Sequence, residues 1–246
     1  MHPLLLPHQF ILGQYNDLEG TRALITPDIG CILVEPMLGA GGLHPATPAF
    51  LQLLRTEATR AGAVLIFDEV ITSRLHYGGL QALHGSTPDM TTLGKHFGGG
   101  FPFGAFGGRR DLMAMFDPAS PRFLFHSGTW NNNVFSMTAG VVAAKLMTRE
   151  ALERANGLGD KLRDGMGAIF AEKSPGLFRM TGYGSAVGIA FTGEDAHVLR
   201  RLFFFYLLAK RIYVGQRGFI ALSIVHAEEH VERALQAVRG FCAECL

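Results

Sequence analysis

The chain has 246 residues, of which 48% are apolar and 17% charged, and its formal net charge is +1. That size and balance suit one large folded domain with a smaller appendage and exclude a disordered chain. With no local Lys/Arg run there is no electrostatic footprint for nucleic acid, and no apolar run nears the roughly 20 residues of a membrane span.

The stretch 1–13 (MHPLLLPHQFILG) is apolar but interrupted by Pro3 and Pro7, and it lacks the charged start and small-residue cleavage site of a secretion signal. Cys31, Cys242 and Cys245 make no disulfide framework. Cys31 sits in an apolar run and is expected in the core. The terminal CxxC lacks the second pair or histidines that a zinc site needs. Free thiols in a soluble, cytoplasmic protein are the expectation.

Residues 29–34 (IGCILV) predict a buried strand ending at Glu35-Pro36. A glycine loop follows, then a helix over 48–61 closed by Gly62. Residues 63–67 (AVLIF) predict a second buried strand, ending at Asp68-Glu69. Strand, loop, helix and strand in this order make a βαβ unit of a parallel sheet, where ligands bind beyond the carboxyl ends of the strands. The segment 77–108 reads as a glycine-dense loop region carrying Lys95. A helix starts over 111–116, a long apolar helix covers 133–148, and a charged helix runs on to about 169. Short strands over 176–191, a helix over 199–210, a strand over 219–224 and an amphipathic helix over 227–242 then form a separate α+β unit. The expected division is 1–150, an incomplete large α/β domain, and 151–246, a small C-terminal domain.

Two groups stand where this topology places chemistry. An acid at the end of a buried strand, Asp68, holds a protonated nitrogen of a heteroaromatic ring. A desolvated lysine in the following glycine loop, Lys95, forms a Schiff base with an aldehyde. The same two residues are equally readable as a helix cap and a solvated loop lysine. Gly98 to Gly100 match no phosphate-loop pattern and read as turn residues or as a close backbone approach to a cofactor. Ser127-Gly128-Thr129, before a helix start, suits either a phosphate or a helix cap. His44, His76, His84 and His126 have no metal-ligand spacing. His96 is a neighbour able to tune Lys95, or merely a local residue, and the aromatic run 203–206 reads as core or interface.

In order, the runs ILVEPMLGAGG, VLIFDEVITSRLHYGGLQALHGSTPDMTTLGKHFGGGFPFGAFGGRRDLM and FHSGTWNNNVFSMTAG resemble class-III, fold-type I aminotransferases, which use pyridoxal 5′-phosphate (PLP). Among these the resemblance is greatest to glutamate-1-semialdehyde 2,1-aminomutases and their aminotransferase relatives. It covers most of residues 10–145 and, more loosely, the tail. It implies that Lys95 is the catalytic Schiff-base lysine and moves the substrate proton, and that Asp68 pairs with the pyridine nitrogen. It implies further that Val70 packs on the ring, that Thr129 reaches the cofactor phosphate of a neighbouring subunit in a homodimer, and that Glu35 borders the site. Ile71 stands where some amine-transferring branches have Gln, which points towards the aminomutase-like branch. The implied ligands are a small amino acid, amine or amino-aldehyde, with no nucleic acid and no membrane.

Members of that family are longer. Their preceding half carries a phosphate loop, an aromatic that stacks on the ring and much of the substrate pocket, so the sheet here is expected to expose an edge. Two readings follow: a PLP-dependent amino-transfer enzyme impaired by that lack, or a non-catalytic truncated homologue acting as a dimerisation or regulatory partner.

Overall fold

A computed structural model describes residues 9–121 and 123–246. The first eight residues of the apolar N-terminal stretch therefore lie outside it.

After a short helix α1 (Leu18–Leu24), capped by Asp17 and not anticipated from the sequence, come β1 (Cys31–Val34), α2 (Pro48–Ala61) and β2 (Val64–Asp68). The signals that start and stop α2 act locally. The Thr47 hydroxyl accepts from the Phe50 N–H, Pro48 occupies the first turn, and Gly62 ends the helix at φ 71°. β1 and β2 pair in parallel, with Cys31 opposite Val64 and Val34 opposite Phe67. One face of this pair packs Leu65 and Phe67 against Phe50, Leu51, Leu54 and Ala58 of α2.

The other face corrects two expectations. β1 is not a buried strand and Cys31 is not a core residue: Cys31 is exposed and Leu33 is 64% exposed. Period-2 alternation sends these side chains away from α2, and no described residue covers them there. An apolar run alone does not reveal which face will be covered.

A further correction concerns 77–108. It holds α3 (Gly79–His84), β3 (Met90–Gly94) and β4 (Gly104–Gly108). β3 adds to β2 in parallel, and β4 adds to β3 antiparallel, so the sheet order is β1-β2-β3-β4 and the sheet is mixed rather than wholly parallel. With a sequence of GAFGG, β4 has almost no apolar pattern to read. Its glycines serve close approach instead, since a Cβ on Gly108 would lie 2.1 Å from the Asp89 carbonyl oxygen. α4 (Arg110–Met113) follows, and then α5 (Val134–Leu146), capped by the Asn133 side chain.

The remainder forms a three-stranded antiparallel sheet with order β5-β6-β7. Its elements are α6 (Arg149–Lys173), β5 (Phe178–Tyr183), β6 (Ala186–Phe191), α7 (Ala196–Ala209), β7 (Phe219–Ala221) and α8 (Glu228–Cys245). α6 buries Leu158, Leu162, Met166, Ile169 and Phe170 at helical spacing. These meet Phe203 and Leu207 of α7 and Val238 and Phe241 of α8 in one core. Cys242 lies in that core as well. No group of metal-ligand type occurs among the described residues, and no described helix is long and apolar enough to cross a membrane.

Candidate active site

Three strands of the first sheet deliver a functional group each at their carboxyl ends. Glu35 follows β1, Asp68 ends β2, and Lys95 follows β3. The register that pairs Asp68 with Thr92 fixes this alignment.

The Asp68 side chain points away from α2, on the same face as Leu33 and Ile66. Its Oδ1 accepts from the Val70 N–H at 3.0 Å and from the Thr92 hydroxyl at 3.1 Å. Oδ2 has no hydrogen-bond partner among the described residues. One oxygen is thus locked by the fold while the other is free for an external donor. Val70 packs over the strand that leads to the lysine, because a Cβ at Gly94 would meet its two methyls at 3.4 and 3.5 Å.

Lys95 has φ 51°, in the left-handed region that a non-glycine residue seldom occupies. Such backbone costs on the order of 1–3 kcal/mol and persists only where surrounding structure enforces it. Part of that enforcement comes from α5. Gly99 and Gly140 bring the Lys95 turn and the helix together so closely that a Cβ on Gly99 would lie 2.5 Å from the Ala139 carbonyl oxygen. The Lys95 side chain lines a cavity of about 740 Å³, with the 39–44 loop on one side and β6, α7 and the approach to β7 on the other.

Glu35 is half-buried, and its Oε2 accepts from the Gly39 N–H at 2.9 Å. Burial raises its pKa above the usual carboxylate range, the Gly39 hydrogen bond opposes this, and the charges of Asp68 and Lys95 act in opposite directions on it. Tyr15 steadies the same corner by donating to the Glu35 carbonyl at 2.7 Å. Thr129 is exposed on the segment before α5 and makes no hydrogen bond to the other four candidates. The structure therefore gathers Glu35, Asp68, Val70 and Lys95 and leaves Thr129 apart.

Several contributors escaped the sequence reading. Thr92 holds Asp68, and the strand that carries it was hidden by weak patterning. Glu69 is fully buried and accepts from the Thr72 hydroxyl and from the Leu80 and Gln81 N–H groups, which anchors α3 beside the site. His96, which the sequence had already shown as a neighbour of Lys95, is half-buried; its Nδ1 lacks a partner among the described residues, and burial followed by the Arg74 charge lowers its pKa to about 4. It is neutral at physiological pH and so brings no charge to Lys95. Arg200 and Arg217 also line the cavity, and only their packing, not their spacing, could have shown it.

This arrangement of a mixed α/β sheet and a smaller α+β unit is the fold of type I PLP-dependent transferases. The chain belongs to the class-III aminotransferase family, whose model matches residues 8–227. It is 43% identical to a beta-phenylalanine transaminase from Variovorax paradoxus, over 97% of this chain and 58% of that protein. The crystal structure of the beta-phenylalanine aminotransferase from that organism superposes with a TM-score of 0.91, covering 98% of this chain and 59% of its own. A glutamate-1-semialdehyde 2,1-aminomutase from Pelotomaculum thermopropionicum is 35% identical over 93% of this chain and 56% of that protein. The chain thus spans little more than half the length of the relatives it matches. The family is PLP-dependent, and a PLP-bound transaminase superposes with a TM-score of 0.88 at 32% identity.

Proposed function

We propose that the chain supports PLP-dependent amino-group transfer on a small amino acid, amine or amino-aldehyde, with Lys95 as the residue that carries the cofactor. The supporting observation is the placement of Lys95, in enforced left-handed backbone, after the strand next to the one that ends in Asp68, whose second oxygen has no hydrogen-bond partner among the described residues. Residues 1–150 then act as part of the large domain and 151–246 as the small one.

When bound, PLP supplies an aldehyde that condenses with amines and a ring that takes up electron density from the amine-bearing carbon. Lys95 Nζ would hold the group and would take and return the proton at that carbon. Asp68, fixed through Oδ1 by Val70 and Thr92, would hold the ring nitrogen in its protonated form. Val70 supports one ring face. Glu35 closes the corner between the two charges. Thr129, exposed beside other exposed side chains, reaches the phosphate bound by a second copy, which makes the working unit a homodimer.

Borohydride reduction of the chain with PLP, followed by peptide mass analysis, tests the central assignment. A pyridoxyl group fixed on Lys95, absent in Lys95→Ala, is the expected result. Scattered labelling of surface lysines defeats it. Asp68→Asn is expected to leave labelling in place while slowing amine transfer by about two orders of magnitude or more. Equal rates in that variant remove the ring-nitrogen role.

A further inference from the structure

The cysteine pair of α8 has no part in the amino-transfer reading. Cys242 and Cys245 lie three residues apart in the last turn of that helix, so both fall on one face of it. The structure turns that face inward. Cys242 is 7% exposed within the core of the second unit, and Cys245 packs, partly buried, against the same core. Neither belongs to the cavity that Lys95 lines. Both are free thiols, as is Cys31, which stands exposed on β1 in the first sheet.

Spacing and surroundings let the two thiols meet. Side chains three apart on a helix have Cβ atoms about 5–6 Å apart, and a disulfide needs about 3.5–4.5 Å. Tightening of the last turn supplies the difference. Cys245 is the final residue of α8, so no later helical turn resists that movement. Phe241, fully buried beside Cys242, holds the other end in place. The two thiols also differ in access. Burial pushes the Cys242 thiol above its ordinary value, the Ser174 hydroxyl opposes this, and the charge of Cys245 adds to it. Cys242 therefore stays protonated and screened from reagents, while Cys245 is partly open to them.

We propose that Cys242 and Cys245 form a redox modification site, at which a small-molecule disulfide converts the pair into a bridge within α8. Cys245 reacts first. Its thiolate attacks one sulfur of the reagent, a mixed disulfide forms on Cys245, and the departing thiolate takes up the proton that Cys245 gave. Cys242 then loses its proton and attacks the Cys245 sulfur, which closes the bridge and releases the second half of the reagent as a thiol. Two protein thiols are oxidised by two electrons, and one disulfide is reduced to two thiols. An accessible thiol with a resolving partner beside it is the arrangement that makes such oxidation reversible. The site is independent of the chemistry assigned to Lys95.

The experiment treats the chain with oxidised glutathione, blocks the remaining thiols with iodoacetamide and maps tryptic peptides by mass. Cys242 and Cys245 share the peptide that begins at Gly240, and Cys31 lies on another. The expected product is the Gly240 peptide without alkylation, lighter than its dithiol form by the two hydrogens lost. Dithiothreitol added before blocking is expected to return it to the doubly alkylated form. Cys31→Ser is expected to leave this result unchanged. Cys245→Ser is expected to lose the bridge, and its Cys242 to take up glutathione at least about tenfold more slowly than Cys245 does in Cys242→Ser. Glutathione retained on Cys245 with Cys242 alkylated, no reaction at either cysteine, or a bridge that forms only in urea overturns the site. Equal rates in the two single variants overturn the order of attack.

Discussion

The two sheets of this molecule are finished differently. The β5-β6-β7 sheet and helices α6, α7 and α8 enclose a core in which Phe178 stacks on Phe170 at 4.0 Å and Phe203 meets Phe241 edge-on at 5.1 Å. The β1-β2-β3-β4 sheet has α2 on one side, while its other side keeps Cys31 and Leu33 open. Exposed apolar side chains recur in the segment before α5, with Phe125 at 71% and Trp130 at 79%. Apolar surface left open in this way marks places where proteins meet something else. Here the open face is the one that Asp68 points from.

The sharpest way to break this contrast is to attack the closed core. Phe241 is fully buried among Phe178, Phe203 and Tyr206. Phe241→Ala is expected to cost about 3–5 kcal/mol in urea unfolding, through lost transfer energy and the cavity left behind. A loss under about 1 kcal/mol would mean that the second unit is as open as the first.

Which parts of this were readable beforehand follows from the physics of the signals. The long helices announce themselves, unlike the short α1 and α3: Thr47, Pro48 and Gly62 bracket α2, and the spacing of Leu158, Leu162 and Met166 forms a stripe on α6. The placement of Asp68 and Lys95 at strand ends was legible because the apolar runs and glycines around them mark where strands stop. Strands β3 and β4 were not, because MTTLG and GAFGG carry little alternation and owe their place to neighbours that pair with them. Thr92, whose hydroxyl holds Asp68, was lost with them. The exposure of Cys31 was equally hidden, since burial depends on what covers a face and not on the run of residues that makes it. Arg200 joins Lys95 in one cavity only through packing between units, which no local pattern records.

Next in size is the link that ties the first sheet together. Asp89 accepts from the Leu65 N–H at 2.8 Å and from Arg55 and Arg109. Burial pushes its pKa up, but these three donors outweigh that and hold it below the usual carboxylate value. Its contribution is therefore full above the unfolded value near pH 4 and is lost as pH falls through the lowered folded value. Asp89→Asn is expected to cost about 2 kcal/mol at pH 7 and to flatten the acid arm of the stability curve. An unchanged acid arm would detach Asp89 from the sheet's stability.

A smaller effect, in a different pH window, comes from His96. Its folded pKa, about 4, lies below the ordinary 6.5, so between these values the unfolded chain holds the extra proton. Stability is full above about pH 6.5 and declines as pH falls towards 4. His96→Gln is expected to reduce that decline, with His84, lowered in the same direction by burial, supplying part of what remains. The same slope in wild type and variant would show that His96 does not stay neutral in the fold.

The smallest expected effect probes the open face directly. Leu33 is 64% exposed on β1, which among the described residues pairs with β2 alone. Leu33→Thr introduces a β-branched strand former and removes apolar surface that already faces water. The stability of the isolated chain is expected to change by no more than about 0.5 kcal/mol, as for substitutions away from packed features. Self-association, followed by light scattering, is expected to fall, because an apolar edge strand is a template for pairing between chains. A loss of 2 kcal/mol or more would mean that the face is covered in solution, and the contrast between the two sheets would vanish. A small stability change with reduced scattering would confine the role of Leu33 to contacts between molecules, leaving α2 and the β2 core to hold the first unit together.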